Sequence, residues 1–302
     1  MSKILNYGSL NIDYTYLVTN FVKSSETVAA KKLTVSCGGK GLNQSVAAAK
    51  AGAVVYHAGK VGIDGEQLKS FLQNSNVHTD FLMQGVNPSG HAIIQVDQKG
   101  NNCILTYSGS NHEISESEID ACLSQFEQGD YLMLQNEINA IPYILEKAFE
   151  QGLEIVFNPS PITEQLTTYP LDKVSVFVLN EIEGQCLSGE TEPNAILTIL
   201  HSKYPNAKIV LTLGEKGSIY FDGVEKVEQD IYKVKAIDTT AAGDTFTGYL
   251  IAALTEGKSP KAAMKSASIA AGIVVSKIGA AQSIPSLDEV EKVEGGKWFA
   301  DQ

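Results

Sequence analysis

Two glycine-rich segments of the chain combine residue types that could bind an anion and move a proton. The first, Gly38-Gly39-Lys40-Gly41, comes directly before an alanine-rich pattern with helical spacing. Three glycines within four residues let the backbone approach a ligand closely, and Lys40 and Asn43 can point into the same space. Taken alone, the segment fits a tight turn with Lys40 in solvent equally well. It does not match the phosphate-binding loop pattern G-x-x-x-x-G-K-[ST].

The second segment, residues 238–248, has the sequence D-T-T-A-A-G-D-T-F-T-G. Its small residues Ala241–Gly243 open a predicted helix, whose free N–H groups and dipole favour an anion. Asp244 lies in the first helical turn, where an acidic side chain is most often a simple cap. The small residues before it, however, leave the N–H groups uncovered. We therefore expect Asp244 to take a proton from a hydroxyl while those N–H groups hold a phosphoryl group.

The elements that must position these segments follow from an alternation of strand and helix patterns. After residue 116, apolar strands such as Tyr131–Leu134 and Lys208–Leu213 alternate with helices such as Ile141–Gln151. This alternation predicts an α/β fold with a doubly wound, mostly parallel sheet flanked by helices. Two long helices are predicted near the end of the chain, over Ala242–Thr255 and from Pro260 onward.

A β-hairpin interrupts this alternation in the first half of the chain. Polar and apolar side chains alternate over His91–Asp97 and Asn102–Tyr107, on either side of a turn. We predict that the hairpin belongs to a small β-sheet lid formed by about residues 14–36 and 90–108. Because no linker or repeat divides the chain, residues 1–302 are expected to form one domain.

Polar residues stand at or just after the ends of the predicted strands. In open sheets of this kind, ligands bind beyond the carboxyl ends of the strands. Each residue could be an ordinary turn residue or helix cap, but their convergence predicts a single polar cleft. The residues are Asn11, Asp13, Gln135, Glu137, Asn158, Asn180 and Thr212.

Composition and charge argue against several functions. The 302 residues carry a formal net charge of −12, which disfavours nucleic-acid and anionic-membrane partners. The four cysteines form no C-x-x-C pair and the five histidines are scattered, so neither disulfides nor a transition-metal site is expected. The N-terminal residues predict no export signal, and the sequence contains no apolar run of about 18 residues. We therefore expect a cytoplasmic protein.

In their order and separation, the two glycine-rich segments resemble the two signatures of the PfkB carbohydrate kinases, most closely those of the ribokinases. The likeness runs from Gly8–Asp13 to Ser283–Pro285, and Ala241 replaces a glycine of the broader family as it does in ribokinases. The resemblance implies ATP-dependent phosphorylation of a sugar hydroxyl, converting D-ribose to D-ribose 5-phosphate. The alternatives are another PfkB sugar or nucleoside kinase, such as a fructokinase or adenosine kinase, and a catalytically idle sugar-binding paralogue.

The same resemblance implies a role for each matching residue. Asp244 would be the catalytic base and would also contact the sugar. The other sugar contacts would be Asn11, Asp13, Gly39, Lys40, Gly41, Asn43 and Glu137. ATP would bind against Asn180, Thr212, Leu213, Gly214, Glu215, Lys216, Gly217, Ala241, Ala242, Gly243 and Ser268.

Two cations and a dimer are also implied by the resemblance. Mg²⁺ would be held by Glu183 through water, and an activating K⁺ would lie in a loop near the end of the chain. The residues implied for K⁺ are Asp238, Thr240, Val274, Lys277, Gly279 and Ser283. The lid of such kinases often forms a dimer interface, and the lid strands here carry apolar side chains. We therefore expect a homodimer through the lid, with a sugar and ATP as the small-molecule partners.

Overall fold

The computed structural model describes residues 2–295, which form two β-sheets and nine α-helices. The strands are β1 (Ile4–Tyr7), β2 (Asn11–Leu17), β3 (Lys32–Gly38), β4 (Val55–Val61), β5 (His78–Gln84), β6 (Gly90–Val96), β7 (Asn102–Tyr107), β8 (Tyr131–Gln135), β9 (Glu154–Asn158), β10 (Val176–Asn180), β11 (Lys208–Thr212), β12 (Ser218–Phe221) and β13 (Lys226–Gln229). The helices are α1 (Lys40–Lys50), α2 (Glu66–Asn74), α3 (Glu116–Leu123), α4 (Ile141–Gln151), α5 (Glu181–Ser188), α6 (Pro193–Lys203), α7 (Ala242–Thr255), α8 (Pro260–Val275) and α9 (Leu287–Glu294).

The main sheet has nine strands in the order β13-β12-β11-β10-β9-β8-β1-β4-β5. Its strands pair in parallel except for β12 and β13 at one edge, which are antiparallel. Strand order reverses beside β1, which pairs with β8 on one side and β4 on the other. Such a reversal opens a crevice beyond the carboxyl ends of the strands, where ligands bind in open α/β sheets. The predicted mostly parallel α/β fold is confirmed.

Separate apolar cores cover the two faces of the main sheet, because successive strand residues point to opposite faces. Ile4 of β1 belongs to a core shared with α1, α7 and α8, whereas its neighbour Leu5 belongs to a core shared with α3, α4 and α6. Both side chains are fully buried. Helices therefore flank the sheet on both faces, as predicted.

Helices α1 and α7 pack closely enough to bring their first turns together. At the contact, a Cβ on Gly248 of α7 would lie 2.4 Å from the Cβ of Ala47 and 2.7 Å from the backbone nitrogen of Ala48 on α1. Only glycine fits such an approach without moving one of the helices. One turn before this contact, the side chains of α1 reach Asp244 of α7. The close contact thus fixes the spacing of the groups around that carboxylate.

The second sheet has four strands in the order β3-β2-β6-β7, and we call it the lid sheet. Strand β2 follows β1 after three residues, so the lid sheet extends directly from the carboxyl end of the main sheet. Its strands begin at Asn11 and include Gly38, slightly wider than the predicted segments 14–36 and 90–108. Its exposed apolar side chains include Leu33, Val35, Ile93, Ile104, Leu105 and Tyr107.

Some element boundaries differ from those predicted. The apolar run Ile4–Asn11 has the pattern of one strand, but the chain leaves the main sheet after Tyr7. The buried Asn111 side chain accepts a hydrogen bond from the Leu10 N–H at 3.0 Å and donates one to the Leu10 carbonyl at 3.3 Å. This long-range side-chain contact replaces the strand pairing that Leu10 would otherwise make. The edge strand β5 was missed. No helix among residues 2–295 is long and apolar enough to cross a bilayer.

Candidate active site

A cleft of about 220 Å³ lies beyond the carboxyl ends of the main-sheet strands. It brings together both glycine-rich segments and residues from the ends of β9, β10 and β11. The lining residues are Lys40, Asn158, Ser160, Val178, Leu179, Asn180, Glu183, Thr212, Thr239, Ala241, Ala242, Gly243, Asp244 and Thr247. Ser160 and Thr247 were not anticipated. Ser160 stands two residues beyond a strand-end asparagine, and Thr247 lies one helical turn after Gly243, so their spacing offered a signal.

The N-terminus of α7 opens into this cleft. Ala241 precedes the helix in a left-handed conformation, with φ of 62°. A Cβ placed on Gly243 would meet no atom within 4 Å, so this residue faces open space. The N–H groups of the first helical turn lack carbonyl partners within the helix and point outward along its axis. Such a terminus can bind an anion. The Ala242 N–H also donates to the Thr239 carbonyl at 3.3 Å.

Asp244 is buried beside this anion site, with 8% of its surface exposed. Its Oδ2 accepts a hydrogen bond from Asn43 Nδ2 at 2.9 Å, and its Oδ1 accepts one from Gln44 Nε2 at 3.0 Å. Asn43 Oδ1 is buried and has no hydrogen-bond partner within residues 2–295. A buried carbonyl oxygen without a donor is costly, so this position suits a ligand that donates a hydroxyl.

The start of α1 packs against the segment that follows β1. A Cβ on Gly41 would lie 2.4 Å from the Ser9 backbone nitrogen, which explains a glycine at that position. Glu137, after β8, accepts hydrogen bonds at Oε2 from the Ser9 hydroxyl and from the Lys40 N–H, the latter at 3.0 Å. These contacts join the ends of β1 and β8 to the first glycine-rich segment at the point where strand order reverses.

Lys40 is the cation among several carboxylates in the cleft. Burial alone would lower the pKa of its ammonium group, but the charges of Asp244, Glu137 and Glu183 outweigh burial and raise it. Burial raises the pKa of Glu137, and the Lys40 charge acts against that increase. The ammonium group is therefore charged at neutral pH and balances the acidic side chains around it.

Asp13 and Asn11 enter the site from the lid strand β2. Burial, and after it the charge of Glu137, raises the pKa of Asp13 to about 7. Asn11 Oδ1 accepts a hydrogen bond from Asn111 Nδ2 at 2.9 Å, so the buried Asn111 orients this side chain. Asn111 was not anticipated, because only the fold brings it beside β2. Both lid residues are half-buried, and neither is among the residues that line the cleft.

The Asn180–Glu183 pair forms a reciprocal cap at the start of α5. Asn180 donates from its backbone N–H to Glu183 Oε2 at 2.9 Å and from Nδ2 to Oε1 at 3.0 Å. The Glu183 N–H returns a hydrogen bond to Asn180 Oδ1 at 2.9 Å. Burial raises the pKa of Glu183. This capping box was the alternative interpretation of the motif, and it coexists with a position on the cleft wall.

The loop after β11 borders the cleft at Thr212 and then turns outward. Residues Gly214–Lys216 form a short 3₁₀ turn, and Lys216 Nζ lies 3.7 Å from Glu181 Oε1 at the surface. Ser268 on α8 donates its hydroxyl to the Asp230 carbonyl at 2.8 Å and does not line the cleft. Of the residues expected at the nucleotide, Asn180, Thr212 and Ala241–Gly243 line the cleft, whereas Leu213–Gly217 and Ser268 do not.

The residues expected around K⁺ form a loop cluster behind the α7 N-terminus. Asp238 Oδ1 accepts from the Thr240 N–H at 2.9 Å and hydroxyl at 2.6 Å, while Oδ2 accepts from the Gly279 N–H at 3.1 Å. Burial raises the pKa of Asp238, but these hydrogen bonds outweigh it and hold the pKa below its usual range. Ser283 donates to the Ile278 carbonyl at 2.7 Å. The Lys277 N–H donates to the Val274 carbonyl at 3.1 Å. The Lys277 ammonium group points away, to Glu289 Oε1 at 2.9 Å.

A helix N-terminus that opens into a cleft beside a buried carboxylate can transfer a phosphoryl group to an alcohol. The molecule is accordingly a phosphotransferase with an alcohol group as acceptor.

Comparison with known proteins identifies the family. The pfkB family of carbohydrate kinases matches residues 1–287. The ribokinase of Haemophilus influenzae is 33% identical over 293 residues, covering 93% of this chain and 95% of that protein. The deoxyribokinase of Salmonella typhi is 30% identical over 292 residues, covering 93% and 95%. The chain belongs to the pfkB family of carbohydrate kinases.

Solved structures agree with this assignment. Ribokinase from Cryptococcus neoformans in complex with ADP is similar with a TM-score of 0.86 and 33% identity, covering 97% of this chain and 100% of that one. Arabidopsis thaliana ribokinase complexed with ribose and ATP has a TM-score of 0.86 and 27% identity, covering 97% and 98%.

Proposed function

We propose that this protein transfers the γ-phosphoryl group of ATP to the primary hydroxyl of D-ribose, giving D-ribose 5-phosphate. The observation that carries the proposal is the buried Asp244 carboxylate beside the open N-terminus of α7. The ribokinase relatives and the neighbour bound to ribose and ATP support ribose as the acceptor.

In the proposed reaction, Asp244 takes the proton of the sugar hydroxyl as its oxygen attacks the γ-phosphorus in line. The new O–P bond forms, the bond from the γ-phosphorus to the β,γ-bridging oxygen breaks, and ADP leaves. First-turn N–H groups at Ala242–Gly243 and the Lys40 ammonium group offset the charge that develops on the phosphoryl oxygens. Their positions in one cleft supply the required proximity.

The sugar would lie between the first glycine-rich segment and the lid sheet. Its hydroxyls would donate to Asn43 Oδ1, which has no protein partner within the described residues, and to the carboxylates of Asp13 and Glu137. Asn11 and the backbone at Gly39, Lys40 and Gly41 would complete the contacts. Closure of the lid sheet over the sugar would exclude water and limit hydrolysis of ATP.

ATP would extend from the α7 N-terminus toward Asn180 and the loop Thr212–Gly217, with Ser268 at the far side. Oxygen atoms of Glu183, Asn158 and Thr212 face the same cleft, and such donors fit Mg²⁺. Because both Glu183 oxygens already accept hydrogen bonds, Glu183 would hold Mg²⁺ through water. When bound, Mg²⁺ supplies positive charge that neutralises the phosphate oxygens.

The loop cluster behind α7 suits an activating K⁺, because its donors are oxygen atoms. Asp238, Thr240 and Ser283, with carbonyls at Val274, Lys277 and Gly279, would hold the ion. A cation there would fix the loop that leads into Ala241 without touching the substrate.

We also propose that the protein is a homodimer and lies in the cytoplasm. The exposed apolar side chains of the lid sheet, among them Ile104 and Leu105, support the dimer. The four cysteines are all free within residues 2–295, which suits a reducing compartment.

A coupled assay for ADP release tests the function, using ribose, 2-deoxyribose, fructose and adenosine, each with and without K⁺. We expect the highest kcat/KM with ribose and a higher rate with K⁺. A clear preference for another acceptor would replace ribose as the substrate. Absence of turnover on the whole panel would favour an idle sugar-binding protein.

A further inference from the structure

A chain of buried amide and hydroxyl groups runs behind Asp244, away from the cleft. Gln44 donates from Nε2 to Asp244 Oδ1 and accepts at Oε1 from Gln135 Nε2 at 2.8 Å. Gln135 also donates to Asn6 Oδ1 at 3.0 Å. Asn6 then donates from Nδ2 to the Gly41 carbonyl at 2.8 Å and to Ser45 Oγ at 2.9 Å.

The chain ends at a neutral histidine. Ser45 Oγ lies 2.8 Å from His57 Nδ1, and His57 Nε2 lies 3.2 Å from the Gly8 carbonyl. That carbonyl can only accept, so Nε2 carries the ring proton and Nδ1 accepts from Ser45. Complete burial lowers the pKa of His57 to about 4, which keeps the ring neutral.

The charge of Asp244 fixes the direction of the hydrogen bonds at its own end of this chain. A carboxylate only accepts, so Gln44 must turn its NH₂ group toward Asp244 and its oxygen toward Gln135. Gln135 must then donate to both Gln44 and Asn6, which its two N–H groups can do. Gln44 is therefore held in one orientation from behind. Because amides do not relay protons at neutral pH, the chain orients Asp244 rather than carrying its proton away.

The two residues that donate to Asp244, Asn43 and Gln44, differ in whether another residue holds their side chains in place. Asn43 donates to Oδ2, but its own Oδ1 has no hydrogen-bond partner within the part of the chain described, so nothing behind holds the amide. Asn43 also belongs to the proposed sugar site and can exchange its hydrogen bond when a hydroxyl arrives. The Gln44 donor is fully buried, with 1% of its surface exposed, and is backed by Gln135, which is equally buried.

We propose that Gln44, held by Gln135, is a positioning residue that anchors Oδ1 of Asp244 and leaves Oδ2 as the oxygen that accepts the substrate proton. The inference rests on the proposed function, because it requires Asp244 to be the base. The two oxygens of the Asp244 carboxylate then have different roles: Oδ1 is held in place, and Oδ2 accepts the proton.

Gln44→Met tests the anchor, because methionine keeps the length of the side chain and removes the donor. We expect kcat to fall by about 10- to 100-fold, the range for a lost hydrogen bond to a charged group, while both KM values change by less than about threefold. We also expect the acidic limb of kcat against pH, at saturating sugar, to move to higher pH, because the ionised form of Asp244 has lost a donor. The charged groups that face Asp244, namely Lys40, Glu137 and Glu183, are the same in both proteins.

Gln135→Met provides a second test should Gln44→Met not fold. It leaves every group that touches Asp244 in place, so we expect the same direction of change with a smaller loss of kcat. Asp130→Ala is the matched control for destabilisation. Asp130 is buried at the opposite end of the sheet, where it accepts hydrogen bonds from the Lys3 N–H at 2.8 Å and the Glu127 N–H at 3.0 Å. The control should lower the melting temperature without moving the pH profile.

The outcomes separate this inference from the proposed function. Suppose that Asp244→Asn abolishes turnover while folded Gln44→Met and Gln135→Met keep the wild-type kcat and pH profile. The positioning role of Gln44 is then wrong, and Asp244 remains the base. A Gln44→Met protein in which only the KM for sugar rises would also contradict the positioning role of Gln44. If Asp244→Asn turns over ribose at the wild-type rate, Asp244 is not the base and the role given to Gln44 falls with it. If the wild-type protein turns over no sugar of the panel, the proposed function itself fails.

Discussion

The junction of α1 with α7 lines the cleft, whereas the lid sheet extends from the carboxyl end of the main sheet, and the two are built in opposite ways. At the junction, glycine and alanine bring two helices into contact, and both oxygens of the buried Asp244 carboxylate accept hydrogen bonds from α1. The lid sheet instead presents apolar side chains such as Leu33 and Leu105 to solvent, with 48% and 67% of their surface exposed. A catalytic carboxylate needs a fixed geometry, whereas a cover over the substrate must move. The contrast predicts that changes at the junction affect kcat, and changes in the lid sheet affect sugar binding and association.

Asp244→Asn is the strongest test of whether the junction controls kcat, and we expect it to have the largest effect. The amide cannot take the hydroxyl proton, so kcat should fall by about 10²- to 10⁴-fold, the usual contribution of a general base. The KM for ATP should change little, because Ala241–Gly243 still hold the phosphates. Steady-state kinetics measure both quantities, with Asp222→Asn, in a distant surface turn, as the matched control. A rate near that of the control would mean that chemistry is not located at the junction.

Gly248→Ala tests whether the helix contact itself sets the geometry. The added Cβ would lie 2.4 Å from the Ala47 Cβ, so α1 and α7 must separate. We expect a loss of about 1–3 kcal/mol in the free energy of unfolding. We also expect kcat to fall about 10- to 100-fold, because Asn43 and Gln44 shift away from Asp244. Urea unfolding and kinetics check the two effects. Gly295→Ala, where a Cβ would meet its nearest atom at 3.4 Å, should change neither.

The junction also shows how far the sequence predicts this molecule. Helix α7 begins and ends at the predicted residues, since its small residues, Asp244 and the apolar pattern are local signals. The alternating hairpin and the parallel sheet were predicted for the same reason. The hydrogen bonds from Gln44 to Asp244 and from Asn111 to Leu10 join residues 200 and 101 positions apart, and no local pattern encodes them. The positions of the functional groups were thus predictable, but their mutual geometry depended on packing.

The pH dependence of kcat/KM for sugar tests the role of Asp13 in the lid sheet. Burial raises the pKa of Asp13 to about 7, so the carboxylate that we propose as an acceptor of sugar hydroxyls is mostly ionised only above that pH. We expect kcat/KM for sugar to rise as the pH increases through about 7, and Asp13→Asn to lose this step while keeping a lower, flat value. Initial rates at low sugar concentration measure it. A wild-type profile that is flat between pH 6 and pH 8 would contradict the role of Asp13.

The same raised pKa has a consequence for stability. The folded protein without sugar holds the Asp13 proton more tightly than the unfolded chain does, because the unfolded pKa is 3.8. Its contribution to stability is therefore most favourable at low pH and is lost as the pH rises through about 7. Relative to Asp13→Asn, the wild-type melting temperature should decline between pH 5 and pH 8. An unchanged difference between the two proteins would contradict this direction.

Leu105→Glu tests the association expected of the lid sheet. Leu105, on the edge strand β7, lies beside Ile93 and is exposed. A charge there should convert the proposed dimer to a monomer in sedimentation velocity, because its burial at an interface would leave it unpaired. Val224→Glu is the matched control, since Val224 is 96% exposed in the turn between β12 and β13. It should keep the wild-type assembly. A wild-type protein that sediments as a monomer, or a Leu105→Glu protein that remains a dimer, would remove the lid sheet as the interface.

Ala241→Gly should have the smallest effect. It tests whether the backbone of the junction, as well as its side chains, controls kcat. Ala241 has a φ of 62°, a left-handed conformation that glycine adopts without steric penalty. We expect glycine to raise the free energy of unfolding by less than about 1 kcal/mol, since relief of strain is offset by the greater entropy of the unfolded chain. The kcat should stay within about threefold, because the N–H groups of Ala242 and Gly243 keep their positions. Thermal unfolding and kinetics check both. A large fall in kcat would instead mean that the strained backbone, and not the buried contacts of Asp244, holds the junction in its active form.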